Sequence, residues 1–261
     1  MRYWKGSIAL SATYDYPLLR QVLRSTFITH RQLYDLLELD SCTQSRNAFN
    51  NRVLRLVRNR YLARDETPYR TDGYVYSISE KGASELIAGG ECYMGPAARP
   101  KNGQLPKAIY HAIELNEIHL ALKCSQRLVH WMPETEIRSR NELTECGYRK
   151  DYDALVTVRM DAGERRFALE YERSPKARPQ YVHICAAIAA ERAVDRFLYL
   201  APNYDLLFFL ISCFATLDRP IHFGLARDFL DKLFDMPLHG PRQRVMTTLR
   251  DVLRGGNRRD R

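Results

Sequence analysis

Residues 43–64 read TQSRNAFNNRVLRLVRNRYLAR. The basic residues Arg46, Arg52, Arg55, Arg58, Arg60 and Arg64 are met by no acidic one. Phe49, Val53, Leu54, Val57 and Tyr61 recur at helical spacing and give one apolar stripe. Arg52, Arg55, Arg58 and Asn59 fall largely off it, so one face can pack on a core while the other meets phosphate. Gln44, Ser45, Asn47, Asn50 and Asn51 place polar side chains near the helix start, where a recognition helix reaches base edges. A basic patch is only an electrostatic footprint, and a solvated surface helix satisfies the same pattern. The flanking sequence separates the two.

Upstream, residues 14–24 carry Tyr16, Leu18, Leu19, Val22 and Leu23 at helical spacing, with Pro17 in the first turn. Thr29 suits the N-cap of a second helix over 30–39, with Leu33, Leu36 and Leu37 inward. Residues 40–42 form the turn into the basic helix. Downstream, a polar segment over 64–73 holds Pro68 and the turn signal Asp72-Gly73, and residues 74–78 favour a strand. Two short strands with a polar loop make a wing, with Arg64, Tyr69 and Arg70 on or beside its tip. Residues 79–88 read as a closing helix, capped by Ser79 and stopped by Gly89-Gly90. Residues 1–90 are therefore expected to form a winged helix-turn-helix. Its expected partner is double-stranded DNA; winged helices also serve as dimer modules.

The 261 residues suffice for two domains, and 45% hydrophobic with 27% charged residues is ordinary for a globular chain. A net charge of +9 favours an anionic partner, nucleic acid or an anionic surface. No run of about 18 apolar residues occurs, so no membrane span is expected. The N-terminus lacks an apolar signal core, and a cytoplasmic location is expected. The six cysteines are scattered without a Cys-x-x-Cys pair, and the seven histidines form no His-x-x-x-His; neither set suggests a metal site or a disulfide framework.

Residues 91–106, rich in Gly and Pro, read as a linker. A second domain over 107–240 follows: a helix over 108–128, an extended segment over 131–138 with Glu134 and Glu136, and strands over 152–158 and 167–172. A helix over about 180–193 and another over 205–214, both apolar enough to be buried, alternate with short strands over 197–200 and 221–225. This is an α/β (α+β) core with a mixed sheet. Residues 241–261 form a basic tail, either solvated or adding nonspecific nucleic-acid affinity. Asp153 sits among apolar neighbours on the first clear strand. Glu170 and Glu172 share a face of the next by the period of two. Together they can gather oxygen ligands for Mg²⁺ or Mn²⁺, and such a metal activates water for phosphodiester cleavage. Lys176 lies close enough in sequence to offset developing charge. Surface ion pairing, for instance of Glu172 with Arg173 or Lys176, explains the same charges without chemistry.

The winged helix, the linker, a helix beginning at His111, the strand from Lys150 to Leu155 and the strand from Leu169 to Arg173 together resemble the replication-relaxation family over about residues 14–225. Those proteins occur on plasmids and other bacterial mobile elements. They pair a winged helix with a domain similar to the PD-(D/E)XK, restriction-endonuclease-like fold. The resemblance implies that Asp153 matches the metal-binding aspartate and Glu170 the acidic residue of the (D/E)-x-K motif. The motif lysine falls on Glu172, a departure, because a nuclease needs a cation there to offset phosphorane charge. Lys176, Arg173 or Lys150 could substitute. Two expectations follow. One is a sequence-specific DNA-binding regulator of transcription or replication, acting as a homodimer, with a nuclease-like domain kept for dimerisation or for docking replication or transfer proteins. The other is a metal-dependent DNA endonuclease acting through Asp153 and Glu170. DNA contacts are expected from Gln44, Ser45, Arg46, Asn47, Asn50, Arg52, Arg55, Arg58, Arg64 and Arg70; a metal, if bound, is expected at Asp153, Glu170 and Glu172.

Overall fold

The structure, a computed structural model, describes residues 8–42, 45–66, 73–91, 105–145, 147–241 and 247–255. Gln44, Tyr69 and Arg70 of the expected DNA surface lie outside the described residues, as does most of the 91–106 segment. The chain divides into two compact units, Met1–Leu120 and Ala121–Arg261.

The first unit runs α1 (Asp15–Ser25), β1 (Ile28–Thr29), α2 (His30–Leu39), α3 (Arg46–Arg58), β2 (Leu62–Glu66), β3 (Tyr74–Ile78), α4 (Glu80–Ala88) and most of α5 (Leu105–Cys124). Its three strands pair antiparallel in the order β1-β3-β2, with Ile28 opposite Tyr76 and Leu62 opposite Ile78. This is the element order expected of a winged helix-turn-helix. Local capping sets the helix starts. Thr29 and Gln32 form a reciprocal capping box at α2, Ser45 accepts the Ala48 N–H at α3, and Ser79 accepts the Gly82 N–H at α4. Leu18, Leu19, Val22, Leu33, Leu36, Phe49, Val53 and Leu56 form the core these helices share. A Cβ at Gly82 would stand 2.2 Å from the Tyr61 carbonyl oxygen, so only glycine lets α4 approach this closely.

Three sequence expectations change here. The basic helix begins at Arg46, and its buried line is Phe49, Val53 and Leu56, whereas Leu54 is 39% exposed. At 100° per residue the stripe through Phe49 and Val53 continues at Leu56, and Leu54 falls on the opposite face. Arg64 sits within β2, opposite Tyr76, and not at the wing tip. The helix assigned to the second half starts at Leu105, and its N-terminal turns serve the first unit. Ile109 and Ala112 pack with Phe27 and Val75. Gln32 Nε2 donates to the Ile113 carbonyl at 2.8 Å, and Asn116 Nδ2 to the Phe27 carbonyl at 2.8 Å.

The second unit runs β4 (Leu128–Pro133), α6 (Glu134–Leu143), β5 (Ala154–Met160), β6 (Gly163–Tyr171), α7 (Arg178–Ala190), β7 (Phe197–Ala201), α8 (Tyr204–Cys213), β8 (Ile221–Leu225), α9 (Ala226–Lys232), β9 (Pro237–Leu238), β10 (Thr247–Thr248) and α10 (Leu249–Arg254). The main sheet has the order β4-β5-β6-β7-β8. The β4–β5 and β5–β6 pairs are antiparallel; β6–β7 and β7–β8 are parallel. This is the mixed sheet of the expected α/β class.

Residues 131–138 are not extended throughout: β4 stops at Pro133 and α6 begins at Glu134. Glu134 and Glu136 lie in the first turn of α6, where carboxylates complement the helix dipole. The α7 and α8 helices are less buried than their composition suggests. Only Tyr181 and Ile188 are buried in α7, and Val182 is 68% exposed; Phe208 of α8 is 57% exposed. Part of the expected basic tail is folded. Leu249 and Leu253 are buried, Arg250 makes two bonds to Asp235, and Arg254 pairs with Asp161. Among the described residues no helix is long and apolar enough to cross a membrane.

Candidate nucleic-acid interface and acidic centre

On α3 the exposed residues are Arg46, Asn47, Asn50, Asn51, Leu54 and Arg58. Asn47, Asn51, Leu54 and Arg58 form its outermost line, at spacings of four, three and four residues. Ser45 is spent as the N-cap. Two of the arginines expected at phosphate are engaged by a buried carboxylate. Asp15 of α1 is fully buried, and its Oδ1 accepts from Arg52 Nη1 at 2.8 Å while its Oδ2 accepts from Arg55 Nη2 and from the Ser11 N–H at 2.6 Å. Burial pushes this carboxyl up, but the Ser11, Arg55 and Arg52 hydrogen bonds outweigh it and hold it below its ordinary value. Arg52 also lies over the Tyr14 ring. Asp15 was not legible as a partner, because it precedes the two arginines by 37 and 40 residues.

Two further cations are placed by rings. The Arg46 guanidinium lies 4.1 Å from the Tyr34 ring centroid, and Arg64 lies 4.1 Å from that of Tyr74. Asn50 Oδ1 stands 2.8 Å from His30 Nε2, whose Nδ1 stands 3.1 Å from the Tyr76 hydroxyl. An amide oxygen only accepts, so Nε2 is the donor to Asn50, and the Tyr76 hydroxyl completes the contact at Nδ1. His30 thereby ties α3 to α2 and β3.

In the second unit, Ala154 pairs with Leu169, and continuing that register by one residue sets Asp153 opposite Glu170. This makes Asp153 and Glu170 cross-strand neighbours at the end of the β5–β6 ladder. Asp153 Oδ2 accepts the Tyr171 N–H at 2.6 Å, and the Asp153 carbonyl accepts the Glu134 N–H at 3.1 Å. Glu170 and Glu172 are 5% and 6% exposed. Each has a lysine: Lys150 Nζ binds Glu170, and Lys176 Nζ binds Glu172. Burial raises the Glu170 carboxyl to about 7, with Asp153 adding to the rise and Lys150 only partly opposing it. Burial acts to lower Lys150, but Glu170, Asp153 and Glu134 outweigh it and hold this ammonium above its ordinary value. Tyr199, across the parallel ladder from Glu170, has its hydroxyl buried without a partner among the described residues.

The donor set does not suit a divalent cation. Among the described residues no three His, Cys, Asp or Glu side chains gather to hold a metal ion. Glu170 and Glu172 each face an ammonium, and Asp153 is tied to a backbone N–H. Asp153, Glu170 and Glu172 thus do not form the three-carboxylate cluster expected of them, because Glu172 turns to Lys176. Lys150, three residues before Asp153, is the cation that reaches the Asp153–Glu170 pair.

A helical unit with a three-stranded antiparallel sheet, followed by a unit built on a mixed five-stranded sheet, makes this a two-unit α/β protein. The replication-relaxation family matches residues 19–187, and the chain belongs to that family. Membership suggests a role in the replication or transfer of plasmids or mobile elements. No curated protein and no solved structure matches the chain.

Proposed function

We propose that the first unit binds double-stranded DNA sequence-specifically through the exposed face of α3, and that the protein regulates transcription or replication on a mobile element. The second unit would serve as a homodimerisation or docking domain. The observation that carries this reading is the acid-free outer line Asn47, Asn51, Leu54 and Arg58 on a helix whose opposite side is fully packed. Arg46, Arg58 and Arg64 are the candidates for phosphate, and Asn47, Asn50 and Asn51 for bases. Arg52 and Arg55 are reassigned to orienting α3 through Asp15.

The second reading, a metal-dependent endonuclease, is favoured by one observation: Lys150 restores a cation beside Asp153 and Glu170. The closed lysine–glutamate pairs count against it. One titration addresses both readings. The full chain is bound to duplex DNA over a range of salt, with and without Mg²⁺ or Mn²⁺. Arg58→Ala is expected to weaken binding to all sequences and lower the salt slope by about one, with the DNA intact throughout. An unchanged Arg58→Ala affinity would remove the α3 placement. Cleavage that is lost in Asp153→Ala would make the protein an enzyme.

A further inference from the structure

On the DNA-binding reading of α3, we infer that its outer line selects sites rich in A·T pairs, with Asn47 and Asn51 pairing with adenines and Leu54 seated on a thymine methyl. The inference rests on that reading and adds which bases the helix takes. An asparagine amide offers one acceptor and one NH₂, matching adenine N6–H₂ and N7. Guanine presents two acceptors, O6 and N7, and is served by a bidentate guanidinium.

The guanidinium groups are directed elsewhere. Arg52 and Arg55 are held by buried Asp15, and Arg46 lies over the Tyr34 ring. Arg58, the last residue of the helix, lies a full turn beyond Leu54. Leu54 itself is 39% exposed on an otherwise polar face. The thymine C5-methyl is the apolar feature that the major groove offers such a side chain. Asn50 differs from its neighbours. Its oxygen is taken by His30 at 2.8 Å, so it keeps only its NH₂ and cannot make the two-bond adenine pair. From Asn47 to Leu54 the helix rises about 10 Å, close to three base-pair steps of about 3.4 Å.

Random-sequence duplexes selected on the full-length protein should yield a site with a core of A·T pairs. That site is then resynthesised with deoxyuridine for thymine, which removes the methyl and leaves the pairing intact. The wild type should lose about three- to fourfold in affinity for a contacted methyl. Leu54→Ala should bind the thymine duplex more weakly and no longer distinguish it from the deoxyuridine one. Asn51→Ala should lose roughly 5- to 150-fold on the selected site and little on unrelated duplexes. A G·C core, or a methyl effect that persists in Leu54→Ala, overturns the inference. Binding without sequence preference also overturns it while leaving the DNA-binding reading intact. No binding to any duplex at low salt overturns both.

Discussion

Asp15 and Glu170 are both buried carboxylates, and their partners give them opposite consequences. Asp15 is ionised and clamped by two guanidinium groups. Removing those groups strands a buried charge, which costs far more than the loss of a surface ion pair. Arg52→Ala with Arg55→Ala is therefore expected to lower unfolding stability by about 3 kcal/mol, and adding Asp15→Asn should recover most of that loss. Equal stability of the double variant and the wild type in urea would refute the clamp. Glu170 is instead raised to about 7 by burial. A group raised in the folded state stabilises fully below its unfolded value and loses that contribution as pH climbs through the folded one. Relative to Glu170→Gln, the wild type should thus lose stability as the pH climbs from about 4.5 to about 7. A difference in melting temperature that stays constant over this range would contradict the assignment.

At the scale of elements, what was legible in the sequence followed periodicity and local capping. Thr29 and Ser79 mark helix starts that the structure places beside them, because a cap acts within three residues, whereas Ser45, expected at DNA, turned out to cap α3. The alternation over 167–172 set Glu170 and Glu172 on one face before any pairing was known. Leu54 and Leu56 are chemically identical; the helical angle from Phe49 and Val53 favours Leu56, and the packing of α3 buries it. Non-local choices were not legible. The near-uniform apolarity of α7 gave no face, so its exposure could not be read from composition. Lys150 was one of three cations near the acidic strands. The strand register and the turn at residues 147–153, not sequence distance, bring it to Glu170 while Lys176 goes to Glu172.

For the whole molecule, under the proposed DNA-binding role a single helix-turn-helix unit would read only a few base pairs, and a second linked copy would multiply affinity without new contacts. The exposed apolar side chains Val182 of α7 and Phe208 of α8 lie on helices packed together through Tyr181 and Phe209. We propose that a second copy of this chain covers them. Light scattering at micromolar concentration should then give a dimer, and Val182→Glu with Phe208→Glu a monomer with its fold intact. A wild-type monomer under the same conditions, with and without DNA, would set the proposal aside.

The Asp15 clamp also bears on how the protein behaves in the hand. A chain clipped just past Asp15 would lose that carboxylate and release two guanidinium groups onto the flank of α3. Such a species would elute later from a polyanion column and shift more duplex in a gel, passing for the better binder. Its gain would be indifferent to sequence and would fade steeply with added salt. On the proposed DNA-binding role, the intact carboxylate works as a restraint on stickiness, keeping affinity in the side chains that can tell one site from another.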